Sequence, residues 1–144
     1  MADFLAHLHQ AKYNKIFAIE LARSGVRRDW AITVAFYAAL HFAEAGLIGK
    51  NKISTTDKNL NDDKALHTRR ADLLLASYGD LPYRKYKKLM NESSRARYLD
   101  NQSANFDDPP AQGYFPREVV DDLINNELES FWEILTQKCP CDLS

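Results

Sequence analysis

The sequence predicts an all-α protein, and three observations favour this fold class. Apolar residues recur every three or four positions in five segments, which is the period of amphipathic helices. No segment of strand length alternates between apolar and polar residues. Stretches rich in Gly, Pro, Asn and Asp separate the five segments and mark their connections. Short connections between amphipathic helices favour antiparallel neighbours, so we expect an up-and-down bundle of four to five helices.

The chain has 144 residues, of which 45% are hydrophobic, and this is enough for one domain with its own core. We place that single domain at residues 1–138 and a short C-terminal tail at 139–144. The N-terminus lacks the basic region of a secretory signal, and no lipidation signal is present. We therefore expect a soluble, cytoplasmic protein.

The first helix is predicted from about Asp3 to Ser24, where Gly25 provides a C-terminal cap. It carries two apolar stripes. One consists of Phe4, Leu5, Leu8, Ile16, Ile19 and Ala22, and the other of Tyr13, Phe17 and Leu21. Two stripes on a terminal helix predict that it packs on two neighbours, or that one stripe contacts a partner subunit.

The second helix is predicted from Asp29, a suitable N-cap, to between Gly46 and Gly49. Its apolar run is long enough to cross a bilayer. However, it contains His41 and Glu44, and one ionisable group at mid-membrane costs about 2.5–3.5 kcal/mol. We therefore interpret this segment as a buried helix and expect no membrane partner.

The remaining three helices are predicted from periodicity and from their terminal residues. Their expected ranges are Asp62–Tyr78, Pro82–Leu99 and Arg117–Lys138. The polar stretch 50–61 is expected to form a loop and a mobile flap. Asp-Asp-Pro-Pro excludes a helix across the middle of the loop that precedes the last helix.

Charge is distributed unevenly although the net charge is only −1. Residues 64–98 carry nine basic and three acidic side chains, a balance of +6, whereas residues 100–144 carry two and ten, a balance of −8. Two interpretations remain open. Either the acidic last helix packs beside the basic segment, or the basic segment is a surface for phosphate or nucleic acid. In particular, the run Lys85, Lys87 and Lys88 suits either a solvated face or a binding site.

Polar residues of three predicted helices are spaced so that they share helix faces. These residues are Thr33, Tyr37, His41 and Glu44 on the second helix, His67 and Arg70 on the third, and Tyr86, Ser93 and Arg97 on the fourth, with Arg95 and Tyr98 to either side. If the three helices face one another, these groups share one pocket.

Histidine suits proton transfer near neutral pH, and arginine suits a phosphate oxygen. The candidate catalytic residues are therefore His41, His67, Arg70 and Arg97. The candidate binding residues are Tyr37, Glu44, Ser93, Arg95, Tyr98 and Lys88. Structural roles compete with these assignments, because a lone histidine on an apolar helix is commonly part of a core. Likewise, Glu44 paired with Arg70 or Arg97 would hold the helices in register without chemistry.

The sequence offers little for metal or cofactor chemistry. The two cysteines, Cys139 and Cys141, lack the further ligands of a closed zinc site. Neither Glu20 nor Glu44 has a histidine three residues on, as a di-iron bundle requires. HExxH, the phosphate loop and GxGxxG are all absent from the sequence. We expect no metal and no cofactor.

The stretches DWAITVAFYAALHFAEA, HTRR and YKKLMNESSRARY resemble those of the HEPN superfamily, and more narrowly a group of bacterial HEPN-like proteins. The resemblance covers roughly residues 10–135, and its most specific part is the fourth-helix segment. The residues that carry it are Asp29, Trp30, Tyr37, His41, His67, Arg70, Tyr86, Leu89, Ser93, Ala96, Arg97 and Tyr98.

The resemblance implies a four- or five-helix bundle that forms a homodimer. Many HEPN proteins are metal-independent endoribonucleases of toxin–antitoxin or defence systems, and others bind nucleotides or protein partners. The active ones carry an arginine that is separated from a late histidine by four to six intervening residues. Here no arginine precedes a histidine at that distance, and no histidine follows His67.

Three hypotheses follow. The first is a HEPN-like domain that binds RNA, a nucleotide or a protein partner. The second is an endoribonuclease with a relocated His/Arg site, and the third is a structural dimerisation module in which the polar groups form a buried network. The first two predict polar groups within reach of solvent, whereas the third predicts that they are buried and mutually satisfied.

Overall fold

The computed structural model describes residues 2–25, 27–51, 54–55, 65–98 and 115–144, and all regular secondary structure in these ranges is helical. The helices are α1 (Ala2–Ser24), α2 (Arg28–Asn51), α3 (Leu66–Tyr78), α4 (Asp80–Tyr98) and α5. Helix α5 is continuous and consists of α-helical Arg117–Asp122, π-helical Leu123–Leu128 and α-helical Glu129–Lys138. The prediction of an all-α helical bundle is confirmed.

Helix α2 lies at the centre of the bundle and contacts each of the other four helices. By length and composition it would qualify as a membrane span, but 83% of its apolar window is buried inside the bundle. A helix surrounded by neighbours on most sides must be apolar around most of its circumference. Burial among the other helices therefore accounts for its long apolar run.

The end of α2 was predicted wrongly, and the cause is the role of two glycines. The helix continues through Gly46 and Gly49 to Asn51. A Cβ atom on Gly46 would lie 3.1 Å from Cδ2 of Leu135, and one on Gly49 would lie 2.9 Å from Sγ of Cys139. Both glycines thus allow neighbouring elements to approach the α2 backbone. Helix-ending glycines with positive φ occur at Gly25 and Gly79, as predicted.

Two helix starts also differ from the predictions. Helix α3 begins at Leu66 rather than Asp62, because Ala65 has extended backbone angles, φ −55° and ψ 147°. Helix α4 begins at Asp80 rather than Pro82. Asp80 suits a helix N-terminus, and proline is tolerated in a first turn because the N–H it lacks needs no partner there.

Much of the loop and flap predictions lies outside the described residues, namely 52–53, 56–64 and 99–114. Within the predicted flap, Lys50 and Asn51 belong to α2. The tail 139–144 is packed against the bundle, since Cys139 and Leu143 are buried. Its second thiol, on Cys141, donates to the carbonyl oxygen of Gly49 at 3.3 Å.

Candidate functional site

A buried ion pair between Glu44 of α2 and Arg70 of α3 joins the central helices. Nε of Arg70 lies 2.8 Å from Oε1 of Glu44, and the residues are 5% and 2% exposed. Nη1 of Arg70 also donates to the hydroxyl of Tyr86 on α4 at 3.2 Å. The second carboxylate oxygen of Glu44 accepts from Oγ of Ser54 at 3.1 Å and from the backbone N–H of Thr55 at 3.2 Å. We call these five residues the buried network.

The buried network keeps its two charged members ionised. Burial alone would raise the pKa of Glu44, but hydrogen bonds from Thr55 and Arg70 outweigh it, and the net shift is downward. Burial would likewise lower the pKa of Arg70, yet the neighbouring Tyr86 and Glu44 raise it. Such a pair holds helices in register, because either charge left alone in the core would be unsolvated.

Around this network lies a set of partly exposed residues from the same three helices. Nη1 of Arg97 on α4 donates to the hydroxyl of Tyr37 on α2 at 3.4 Å, and its guanidinium carbon lies 5.9 Å from the centre of the Tyr37 ring. His67 of α3 and His41 of α2 are also partly exposed. Trp30 lies two turns before Tyr37 on the same face of α2, and 57% of it is exposed. We call Trp30, Tyr37, His41, His67 and Arg97 the half-exposed strip.

The tautomer of His67 follows from its contact with the buried network. Its Nδ1 lies 3.3 Å from Nη1 of Arg70. A guanidinium only donates hydrogen bonds, so Nδ1 of His67 accepts and the ring proton resides on Nε2. Burial lowers the pKa of His67, and the positive charges of Arg70 and Arg97 lower it further. The imidazole is therefore neutral at pH 7.

His41 contacts a histidine that the sequence analysis did not place in the site. Nδ1 of His7 on α1 lies 2.9 Å from Nδ1 of His41, so the N–H of one ring donates a hydrogen bond to the unprotonated nitrogen of the other. Burial lowers the pKa of His41, as do His7 and Arg70, whereas Glu44 opposes the shift. His7 was missed because only the antiparallel register of α1 on α2 brings residues 7 and 41 together, and no local pattern reports that register.

Several candidates do not join the half-exposed strip. The hydroxyl of Thr33 donates to the carbonyl of Asp29 in its own helix at 3.0 Å. Ser93 is fully buried, and its hydroxyl makes no hydrogen bond among the described residues. The side chain of Tyr98 lies outside the described part of the chain.

The basic residues of α4 mostly pair with acidic neighbours. Nζ of Lys88 lies 3.3 Å from Oε1 of Glu127 on α5, and Lys85 contacts the same carboxylate at 3.2 Å. Arg95 binds Glu92 on its own helix at 2.9 Å. The acidic last helix thus packs beside the basic segment, which is the first of the two charge interpretations. Lys88 and Arg95 are therefore engaged in ion pairs with acidic side chains.

No protein-family model matches this chain, and a search of curated proteins finds no match either.

Replacing one member of the buried ion pair should destabilise the fold strongly. We expect Glu44→Gln to lower the free energy of unfolding by about 3–5 kcal/mol, because Arg70 is left charged and unpaired in the core. Glu133→Gln, at an exposed position of α5, is the matched control and should change it by less than about 1 kcal/mol. Urea denaturation followed by circular dichroism measures both. Equal stability of the two variants would contradict a structural role for the pair.

The two strip histidines should make stability fall in mild acid. Their pKa values are below the ordinary 6.5 in the folded state, so the unfolded chain binds more protons as pH drops through 6.5. This contribution to stability is complete above pH 6.5 and is lost as pH falls through the lowered values. Urea denaturation from pH 8 to pH 5 measures how steeply the free energy of unfolding changes with pH. His41→Gln should make this change less steep, whereas His9→Gln, at an exposed position of α1, should not.

Proposed function

We propose that this chain is a HEPN-like helical domain that binds RNA in the cytoplasm through the half-exposed strip. Support for the family comes from the sequence segments that resemble HEPN proteins. The polar residues of these segments lie on α2, α3 and α4, the helices that contribute to the buried network and the strip. The observation that supports the binding function is that the partly exposed Arg97 hydrogen-bonds to the hydroxyl of Tyr37 and lies over its ring.

The strip combines the two kinds of group that single-stranded RNA requires. A guanidinium pairs with phosphate oxygens through directed N–H donors. Exposed aromatic rings stack on unpaired bases, and Trp30, which is 57% exposed, offers such a ring. Neutral histidines also donate or accept hydrogen bonds at base edges and 2′-hydroxyls.

The dimensions of the strip favour RNA over a single nucleotide. Trp30 and His41 are eleven residues apart on α2, a distance of about 16 Å along the helix axis. Arg97 lies beside Tyr37, between these two ends. A mononucleotide would cover only part of this length, whereas a short single strand contacts all of it.

The exposure of the strip also argues against a purely structural dimerisation module. That hypothesis predicts polar groups that are buried and mutually satisfied. Glu44 and Arg70 fit this description, but Tyr37, His41, His67 and Arg97 are partly accessible to solvent. The polar face of α2 thus has two roles. Glu44 in the buried network holds the helices in register, and Tyr37 and His41 in the strip contribute to RNA binding.

Removing the strip arginine should weaken RNA binding selectively. Arg97→Gln is expected to raise the Kd for a labelled single-stranded RNA by about 10-fold or more, because a charge-assisted contact to phosphate is lost. Arg84→Gln, an exposed position on the same helix that pairs with Asp80, is the matched control and should change the Kd less than about 2-fold. Fluorescence anisotropy at several salt concentrations measures both, since phosphate contacts give a salt-dependent Kd. Absence of binding at low salt would refute the proposed function.

A second candidate is a metal-independent endoribonuclease with a relocated site. The observation that favours it is the neutral His67: burial and the charges of Arg70 and Arg97 lower the pKa of this imidazole, so a free base and an arginine belong to the same strip. With labelled RNA in EDTA, an enzyme should cleave, and His67→Gln should abolish cleavage while RNA binding persists. If the unmodified protein binds RNA but does not cleave it, the endoribonuclease is refuted and RNA binding is the function that is retained.

A further inference from the structure

Three arginines lie where α1 is joined to α2. The stretch Arg-Ser-Gly-Val-Arg-Arg, residues 23–28, contains Arg23, Arg27 and Arg28 and no acidic residue. Arg23 and Arg27 are exposed, and Arg28 is partly exposed. Only residues 25–27 separate the two helices, and Gly25 ends α1 with a φ of +69°, which L side chains rarely adopt. The three arginines therefore lie at the same end of the bundle.

A fourth arginine comes from the start of α5. Arg117 is exposed, and a Cβ atom on Gly25 would lie only 2.6 Å from its Nη2 atom. The guanidinium of Arg117 is thus in contact with the α1–α2 connection, because the first segment of α5 packs against both of these helices. We call Arg23, Arg27, Arg28 and Arg117 the arginine end.

Within the described ranges, no carboxylate pairs with the arginine end, and Nε of Arg28 is buried without a hydrogen-bond partner. The acidic residues nearest in sequence, Asp29 and Glu118, lie in the first turns of α2 and α5, where the helix dipole favours a carboxylate. Six basic residues elsewhere in the bundle do form ion pairs: Lys15, Arg70, Arg84, Lys85, Lys88 and Arg95. The arginine end thus carries unpaired positive charge that attracts an anion.

The arginine end adjoins the half-exposed strip. The carbonyl of Arg27 accepts the first hydrogen bond of α2, from the N–H of Ala31 at 3.0 Å. Arg27 and Trp30 are three residues apart and therefore share a face of the helix, the face that continues to Tyr37 and His41. Arg27 thus extends the strip by about 4.5 Å beyond Trp30.

The chemistry along this face fits a single strand of RNA. Such a strand presents phosphates and bases in alternation, and an exposed tryptophan beside arginines offers a partner for each. Each guanidinium holds a planar set of N–H donors that matches phosphate oxygens. An acidic protein segment would use the four arginines but would leave the strip unoccupied.

We propose that an RNA strand bound to the half-exposed strip continues past Trp30 and places its next phosphates on the arginine end. This inference rests on the proposed function, because it assigns further phosphate contacts to the same ligand. The ligand class is therefore a single strand longer than the strip itself.

The salt dependence of binding tests the phosphate contacts. Arg23→Gln with Arg27→Gln should raise the Kd for an RNA of about 12 nucleotides by about 10-fold. The same double substitution should lower the slope of log Kd against log salt by about 1.4, since each phosphate contact of a single strand contributes about 0.7. Fluorescence anisotropy measures both quantities, and circular dichroism checks the fold.

The matched control removes two positive charges at the other end of the bundle. Arg84 and Lys138 are exposed, and Lys138 donates to the carbonyl of Tyr78, which itself contacts Gly46 in the second half of α2. Arg84→Gln with Lys138→Gln should change the Kd less than about 2-fold and leave the slope unchanged.

The length of the RNA tests the continuation past Trp30. For the unmodified protein and the control, extension from about 4 to about 12 nucleotides should lower the Kd at least about 10-fold. For Arg23→Gln with Arg27→Gln the gain should be less than about 3-fold, because the added phosphates find no arginines.

The outcomes separate this inference from the function on which it rests. If the unmodified protein binds neither RNA at low salt, the RNA-binding function fails and this inference fails with it. If RNA binding is weakened by Arg97→Gln but the double substitution changes neither the salt slope nor the gain with length, the role of the arginine end alone is overturned. The four arginines would then fit an acidic protein partner instead.

Discussion

The arrangement of the central helices depends on the ion pair between Glu44 and Arg70. Both charges lie in the core, where the loss of hydration is costly unless each donor and acceptor finds a partner. Tyr86, Ser54 and Thr55 provide further partners, so the position of α3 on α2 is restricted to a geometry that serves all of them. His67 lies one turn before Arg70 and accepts a hydrogen bond from Nη1 of that arginine. The position of His67 therefore depends on the Glu44–Arg70 pair as well.

Small residues along α2 make this close polar contact feasible. The buried positions of the helix include six alanines and two glycines, which are Ala31, Ala35, Ala38, Ala39, Ala43, Ala45, Gly46 and Gly49. Small side chains let neighbouring helix backbones approach, and the longer polar side chains then meet across the interface. The resulting packing continues to the tail, where Cys139 fills the space above Gly49.

Local sequence signals predicted the parts of the fold that depend on local physics. The five helices follow from apolar periodicity, and Gly25 and Gly79 end helices because glycine readily adopts a positive φ. The glycines of α2 were misread, because a helix-ending glycine and a packing glycine look alike in sequence. Whether Glu44 pairs with Arg70 or Arg97 was equally undecidable, since the choice depends on the tilt of two helices relative to a third.

The contacts of a residue, rather than its type, distinguish members of the strip from members of the buried network. Arg70 and Arg97 are both arginines that hydrogen-bond to a tyrosine, and Arg70 also binds a buried carboxylate, at 2.8 Å. A ligand that displaced Arg70 would leave Glu44 charged in the core, so that guanidinium stays with the protein. The bond from Arg97 to Tyr37 is longer, 3.4 Å, joins a cation to a neutral hydroxyl and lies partly in solvent. Because Arg97 is partly accessible to solvent, whereas Arg70 is buried, the RNA-binding role proposed above is given to Arg97 and the structural role to Arg70.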